Sequence, residues 1–182
     1  MLRKRKEHVS PSQFTIYKEP LIVHEALMQY VFDHNGDRYL DMNAGFATTG
    51  LGHCHPRINA RIHEQIEKLQ HCTFIYMTDD MGEYAEELSE KLPPGLDCLF
   101  FTATGSEANI LATQFSRAYT GNYPVISLMN AYHGYSGAAH LTNIGPWNQA
   151  AAPKTMGIEK ACFPDTYRGP FTGDDAGKMY AK

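Results

Sequence analysis

The stretch from Cys98 to Met129 constrains the fold of this chain more than any other. Cys98-Leu99-Phe100-Phe101 is a short, continuously apolar run, and Ser106 to Tyr119 places Ala108, Leu111, Ala112 and Phe115 on one helical stripe. Val125 to Met129 is a second apolar run, set off by Gly121-Asn122-Tyr123-Pro124. Continuous apolar runs of this length suit strands buried on both faces, and two of them flanking a helix make a βαβ unit. A parallel sheet covered by helices follows, so the expected class is α/β.

The flanking segments extend that reading. Met28 to Leu40 alternates as two short strands around Asp33-His34-Asn35-Gly36-Asp37, and Asn-Gly is the pair favoured in a type I′ hairpin turn. From Pro56 to Leu69, Ile58, Ile62, Ile66 and Leu69 share a helical face, with Pro56 suited to the first helical position. Asp79 to Leu92 repeats the pattern through Met81, Tyr84, Ala85, Leu88 and Leu92, and Pro93-Pro94-Gly95 ends it. From His140 on, nine of the last 43 residues are Gly or Pro and no period is sustained. Trp147, Phe163, Tyr167 and Phe171 nevertheless make that segment too aromatic for a disordered tail. It is expected to pack against something outside the chain. Two secure strands are few for a free-standing parallel sheet, so the sequence reads as part of a longer one.

Composition removes several function classes. Sixteen basic against twenty acidic residues leave a net charge of −4, and the one basic run, Arg3-Lys4-Arg5-Lys6, has no aromatic-rich basic stripe behind it. Nucleic acid is therefore not an expected partner. Clean apolar runs such as Leu21 to Val23 and Cys98 to Phe101 are far shorter than the roughly 20 residues that span a bilayer, so no membrane helix is expected. Cys54, Cys72, Cys98 and Cys162 lie far apart behind no secretory signal, which points to a reducing compartment. His53, Cys54, His55, His63, His71 and Cys72 crowd into twenty residues, but their spacing fits no paired zinc pattern and no metal site is expected.

The chemistry-bearing motif lies between the first apolar run and its helix. Thr104-Gly105-Ser106-Glu107-Ala108-Asn109 feeds a Gly turn into a helix whose first N–H groups have no intrahelical partner, an arrangement that attracts a phosphate. The same letters also spell a Thr-x-x-Glu capping box, which needs no ligand. The second apolar run ends at Asn130-Ala131-Tyr132-His133-Gly134-Tyr135-Ser136. In open α/β sheets ligands bind at this strand edge, where an aromatic ring beside a phosphate cup suits a planar heteroaromatic phosphate. A core tyrosine and an ordinary loop histidine fit the same letters.

Several separated motifs, in order, resemble the class III pyridoxal-phosphate-dependent aminotransferases. They are Tyr39-Leu40-Asp41, Leu51-Gly52-His53-Cys54-His55-Pro56-Arg57, Gly105-Ser106-Glu107-Ala108-Asn109 and Ala131-Tyr132-His133-Gly134. Glu83-Tyr84-Ala85-Glu86, Leu141-Thr142-Asn143-Ile144-Gly145 and Pro164-Asp165-Thr166-Tyr167-Arg168-Gly169-Pro170 are similar to its alanine–glyoxylate subgroup. The likeness runs from about Lys6 to the last residue.

The resemblance implies pyridoxal 5′-phosphate as cofactor, with Thr104, Gly105 and Ser106 on its phosphate, Tyr132 stacked on its ring and His133 beside it. It places Gly45, Phe46 and Ala47 along the substrate pocket near a dimer interface. It divides the chain into residues 1–55, an arm, hairpin and pocket-lining segment, and residues 56–182, the first part of the cofactor-binding large domain. It implies amino-group transfer from L-alanine to glyoxylate, small amino-acid and oxo-acid substrates, a homodimer, and a mitochondrial or otherwise cytoplasmic address. Transamination on ω-amino acids, lyase chemistry on aminoalkyl phosphates, and a non-catalytic short partner of a full-length subunit remain as alternatives.

Two departures stand out. Ala103 replaces the family's usual Asn, and Phe46-Ala47-Thr48-Thr49-Gly50 differs from the usual Ile-Val-Thr-Val run, which bears on substrate choice. Such enzymes need a lysine to hold the cofactor and shuttle a proton, and an acidic partner for the pyridinium nitrogen. Neither family motif occurs before Lys182, and none of the nine lysines stands in that context, so no catalytic residue is assigned. The chain by itself is expected to be inactive.

Overall fold

The computed structural model describes residues 2–11, 13, 15–134 and 157–181. They fall into two units, Met1–Thr78 and Asp79–Lys182. In the first, a short helix α1 (Leu2–His8) precedes an antiparallel sheet of β1 (Val23–Leu27), β2 (Tyr30–Asp33) and β3 (Arg38–Leu40), in the order β1-β2-β3. The hairpin expected over Met28 to Leu40 is thus β2 and β3, joined by a further strand, β1, that alternation had not marked. A bulge between Val23 and Glu25 interrupts its register.

The turn differs from the expected type I′. Gly36 has a φ of +85°, whereas Asn35 does not enter positive φ as that turn would require. Instead the Gly36 N–H donates to the Asp33 carbonyl at 3.1 Å, and Asp33 Oδ1 accepts the N–H groups of Asn35 and Asp37 at 2.8 and 3.0 Å. The aspartate side chain selects a longer loop with one left-handed residue. Burial works to raise the Asp33 pKa, but these N–H bonds and the Tyr39 hydroxyl outweigh it and hold the carboxyl below its usual value. Burial first, then the Asp33 charge, pushes the Tyr39 hydroxyl up. Helix α2 (Pro56–Lys68) follows with Pro56 in its first turn, as its missing N–H permits.

The second unit contains α3 (Asp79–Ser89), α4 (Gly105–Thr120), β4 (Val125–Leu128), β5 (Ile158–Ala161) and α5 (Ala176–Tyr180). Helix α3 ends at Ser89 rather than Leu92, because tighter i−3 bonds from Lys91 and Leu92 take over its last turn. Strands β4 and β5 pair in parallel, Val125 opposite Ile158 through Leu128 opposite Ala161. The α/β class therefore holds, although the partner of β4 is not the expected one. Cys98 to Phe101 joins no ladder among the described residues; the Phe101 ring stacks on Tyr84 at 5.4 Å and Phe100 meets Phe115 edge-on at 5.5 Å. An apolar run specifies contact with other apolar groups, and helix side chains supply it here without any main-chain pairing. The segment past His140, read as lacking a period, holds β5 and α5. Tyr135, Ser136, Leu141 to Gly145 and Trp147 lie outside the described residues.

Burial is shallow. Among the described residues Ala176 is the buried apolar side chain, and Ile58, Ile62 and Ile66 on the apolar face of α2, with Leu69 just past its end, are all exposed. No helix among them is long and apolar enough to cross a membrane, and no three metal-binding side chains converge.

Candidate functional site

Helix α4 begins with the capping box read from its sequence. Thr104 Oγ1 accepts the Glu107 N–H at 3.2 Å, while Glu107 Oε2 accepts the N–H groups of Ala103 and Thr104 at 2.9 and 3.0 Å. The Gly105 and Ser106 N–H groups lie in the first turn of α4, ahead of the intrahelical ladder. A Cβ at position 105 would meet no atom within 4 Å beyond its chain neighbours and the helix backbone.

The loop after β4 is fitted against this end of the helix. Gly134 has a φ of +110°, and a Cβ there would overlap Ser106 Oγ and lie 2.9 Å from Ser106 Cα. Only a glycine brings the two backbones this close. Asn109 Nδ2 donates to the His133 carbonyl at 2.9 Å, tying the loop to the second turn of α4. Tyr132, half-exposed, and the partly buried His133 ride on that loop. The structure thus brings Ser106 against Gly134 and ties His133 to α4 through Asn109. Asn109 had been quoted only as part of a motif; asparagine inside a helix is a weak helix former, and that was the available signal of an outside partner. Residues 104–106 could hold a phosphate: main-chain N–H groups at the positive end of a helix lie beside hydroxyls at positions 104 and 106.

The first unit carries Gly45, Phe46 and Ala47 on a different kind of loop. Ala44, Gly45, Phe46 and Ala47 all have left-handed φ values, +48°, +60°, +56° and +67°. Each non-glycine residue in that region costs about 1–2 kcal/mol, so the turn needs support from outside itself. Asp41 Oδ1 accepts the N–H groups of Asn43 and Ala44 at 2.9 and 3.1 Å, and Asn43 Oδ1 accepts that of Phe46 at 2.7 Å. Asp41 Oδ2 lies 2.7 Å from His53 Nε2. The bond to His53, and then the two N–H groups, hold the Asp41 carboxyl below its usual range. Phe46 is 85% exposed. Sequence spacing gave no hint that Asp41 and His53 meet.

The family described as Aminotransferase class-III matches residues 15–180. The chain belongs to the class III aminotransferases. It is 40% identical over 183 residues to alanine–glyoxylate aminotransferase 2 homolog 2, mitochondrial, of Arabidopsis thaliana, a match covering 100% of this chain and 38% of that protein. Against alanine–glyoxylate aminotransferase 2, mitochondrial, of Homo sapiens it is 39% identical over 174 residues, covering 95% of this chain and 34% of that one. The fold is similar to that of taurine:2-oxoglutarate aminotransferase from Bifidobacterium kashiwanohense, solved with pyridoxal phosphate and glutamate. The TM-score is 0.84 at 25% identity, over 97% of this chain and 41% of that one. The chain therefore spans just over a third of the curated relatives it matches. Class III aminotransferases use pyridoxal 5′-phosphate, and the cup at the start of α4 has the donors such a phosphate needs.

Proposed function

We propose that this chain carries the phosphate-binding and part of the substrate-binding apparatus of a pyridoxal-phosphate-dependent aminotransferase that moves an amino group from L-alanine to glyoxylate, giving pyruvate and glycine. The observation that carries the reading is the close fit of Gly134 on Ser106, which joins the aromatic loop to the N-terminus of α4. Thr104, Gly105 and Ser106 hold the phosphate, Tyr132 covers the pyridine ring and shields it from water, and His133 stands beside it. Gly45, Phe46 and Ala47 shape the substrate pocket. When bound, the cofactor supplies the electron sink for amino-group exchange. The identity to alanine–glyoxylate relatives supports the choice of substrates, and their mitochondrial names support that address. A homodimer is the assembly expected of the whole enzyme.

None of the nine lysines stands in the family's cofactor-lysine context, so the 182 residues by themselves carry out no turnover, and any cofactor binding rests on the phosphate cup. Titration of the purified chain with pyridoxal phosphate, followed by absorbance and tyrosine quenching, tests this directly. Saturable binding that is lost in Ser106→Asp, with no pyruvate formed from alanine and glyoxylate, is the expected result. Absence of saturable binding, or turnover by the chain alone, overturns the reading.

A further inference from the structure

We infer that Asp41 and His53 form a clasp that fixes the left-handed turn at residues 44–47 and so act as positioning residues for Gly45, Phe46 and Ala47. The inference rests on the assignment of those three residues to the substrate pocket. The clasp itself stands on geometry within the first unit.

Asp41 and His53 mark the two ends of the loop that contains the turn. Both are fastened at the connection between β1 and β2: the Asp41 N–H donates to the Gln29 carbonyl at 2.9 Å, and Met28 and His53 form an isolated antiparallel bridge with N–H bonds of 2.7 and 2.8 Å. The side chains then close the loop across its mouth. One carboxylate oxygen of Asp41 takes the two N–H groups entering the turn, and the other takes His53 at its exit, 2.7 Å away. With the carboxylate ionised it is an acceptor only, so His53 Nε2 carries the proton and donates it. The two side chains are 16% and 22% exposed, enough to keep the bond from being exchanged freely for water.

A cavity of about 240 Å³ beside the pair is lined by Met28, Gln29, Thr49 and Leu51 as well, and no other ionisable side chain borders it. Among the described residues lining that cavity, the pair meets no third charge. Within the turn, the Thr49 N–H bonds the Ala44 carbonyl at 3.0 Å and Thr48 Oγ1 bonds the Gly45 carbonyl at 2.8 Å. These bonds shape the turn but do not tie it to the sheet. The Asp41–His53 contact is what couples the strained segment to a paired element, leaving the Phe46 ring turned outward toward whatever it meets.

The test is amide hydrogen exchange of the 182-residue chain, read by mass spectrometry, in His53→Ala and His53→Gln. Both variants keep the backbone bonds to Met28, and Gln offers an amide N–H near the position of Nε2. His53→Ala should speed exchange across residues 43–49 at least tenfold and leave residues 105–120 within twofold. His53→Gln should restore the segment to within threefold of the parent. A response under twofold in His53→Ala overturns the clasp, and so does a His53→Gln variant no better protected than His53→Ala. Should His53→Ala fail to fold, the parent chain decides by NMR: a slowly exchanging Nε2–H resonance from His53 is expected, and its absence overturns the inference. Failure of the cofactor titration with an intact exchange response would sink the family site and leave the clasp standing.

Discussion

The loop at the start of α4 and the loop between Asp41 and His53 solve similar problems by different means. In the first, Thr104 and Glu107 satisfy each other's backbone three residues apart, and a bare glycine admits the neighbouring loop. In the second, four successive left-handed residues are held by a carboxylate that reaches an imidazole twelve residues away. A cup for a small anion needs open N–H groups, which a capped helix end offers with little strain. A segment that presents one exposed ring needs an unusual backbone, and that must be held from elsewhere.

The largest effect expected from breaking this contrast is at Gly134. Gly134→Ala drives a Cβ into Ser106 and strains a φ of +110°, so the loop must lift off α4. Destabilisation of about 2 kcal/mol and at least tenfold weaker pyridoxal-phosphate binding should follow, read by thermal melting and cofactor titration. Tyr132→Ala should weaken the cofactor by about 1 kcal/mol through lost ring contact while leaving the melt in place. Equal cofactor affinity would contradict the stacking role. Thr104→Ala removes one half of the capping box and should cost about 1 kcal/mol of α4 stability, with amide exchange in residues 23–40 unchanged.

The smallest effect sharpens the other side of the comparison. Asp33 and Asp41 both have carboxyls held below the ordinary aspartate value, so their stabilisation of the first unit is complete above about pH 4 and disappears as pH falls through the lower folded values. An acid titration followed by hydrogen exchange should therefore loosen residues 23–53 at the acid end, and Asp41→Asn should flatten that limb. A loss that instead begins as pH rises above neutrality would contradict the sign.

Legibility followed sequence distance. The capping box at Thr104, the start of α2 at Pro56 and the helix and strand read over Ser106 to Met129 rest on groups within a few residues of each other, and they appear as read. The turn at Gly36 was half legible. Its glycine was marked, but the carboxylate of Asp33 competes for the same N–H groups and selects a different loop. Cys98 to Phe101 shows the limit of hydrophobic pattern: four apolar residues announce a buried strand, whereas here they join no ladder among the described residues and make ring contacts, Phe101 on Tyr84, while staying largely exposed.

By itself the sequence determined the family, through several motifs in a set order, together with the α/β class and the capped helix end that suits a phosphate. Tertiary structure alone decided that β5 pairs with β4, that Asn109 holds the His133 loop, and that Asp41 meets His53. Each of these contacts joins residues twelve or more positions apart. Local propensity and periodicity carry no information about such pairs, because closing the intervening chain depends on every element that packs between them.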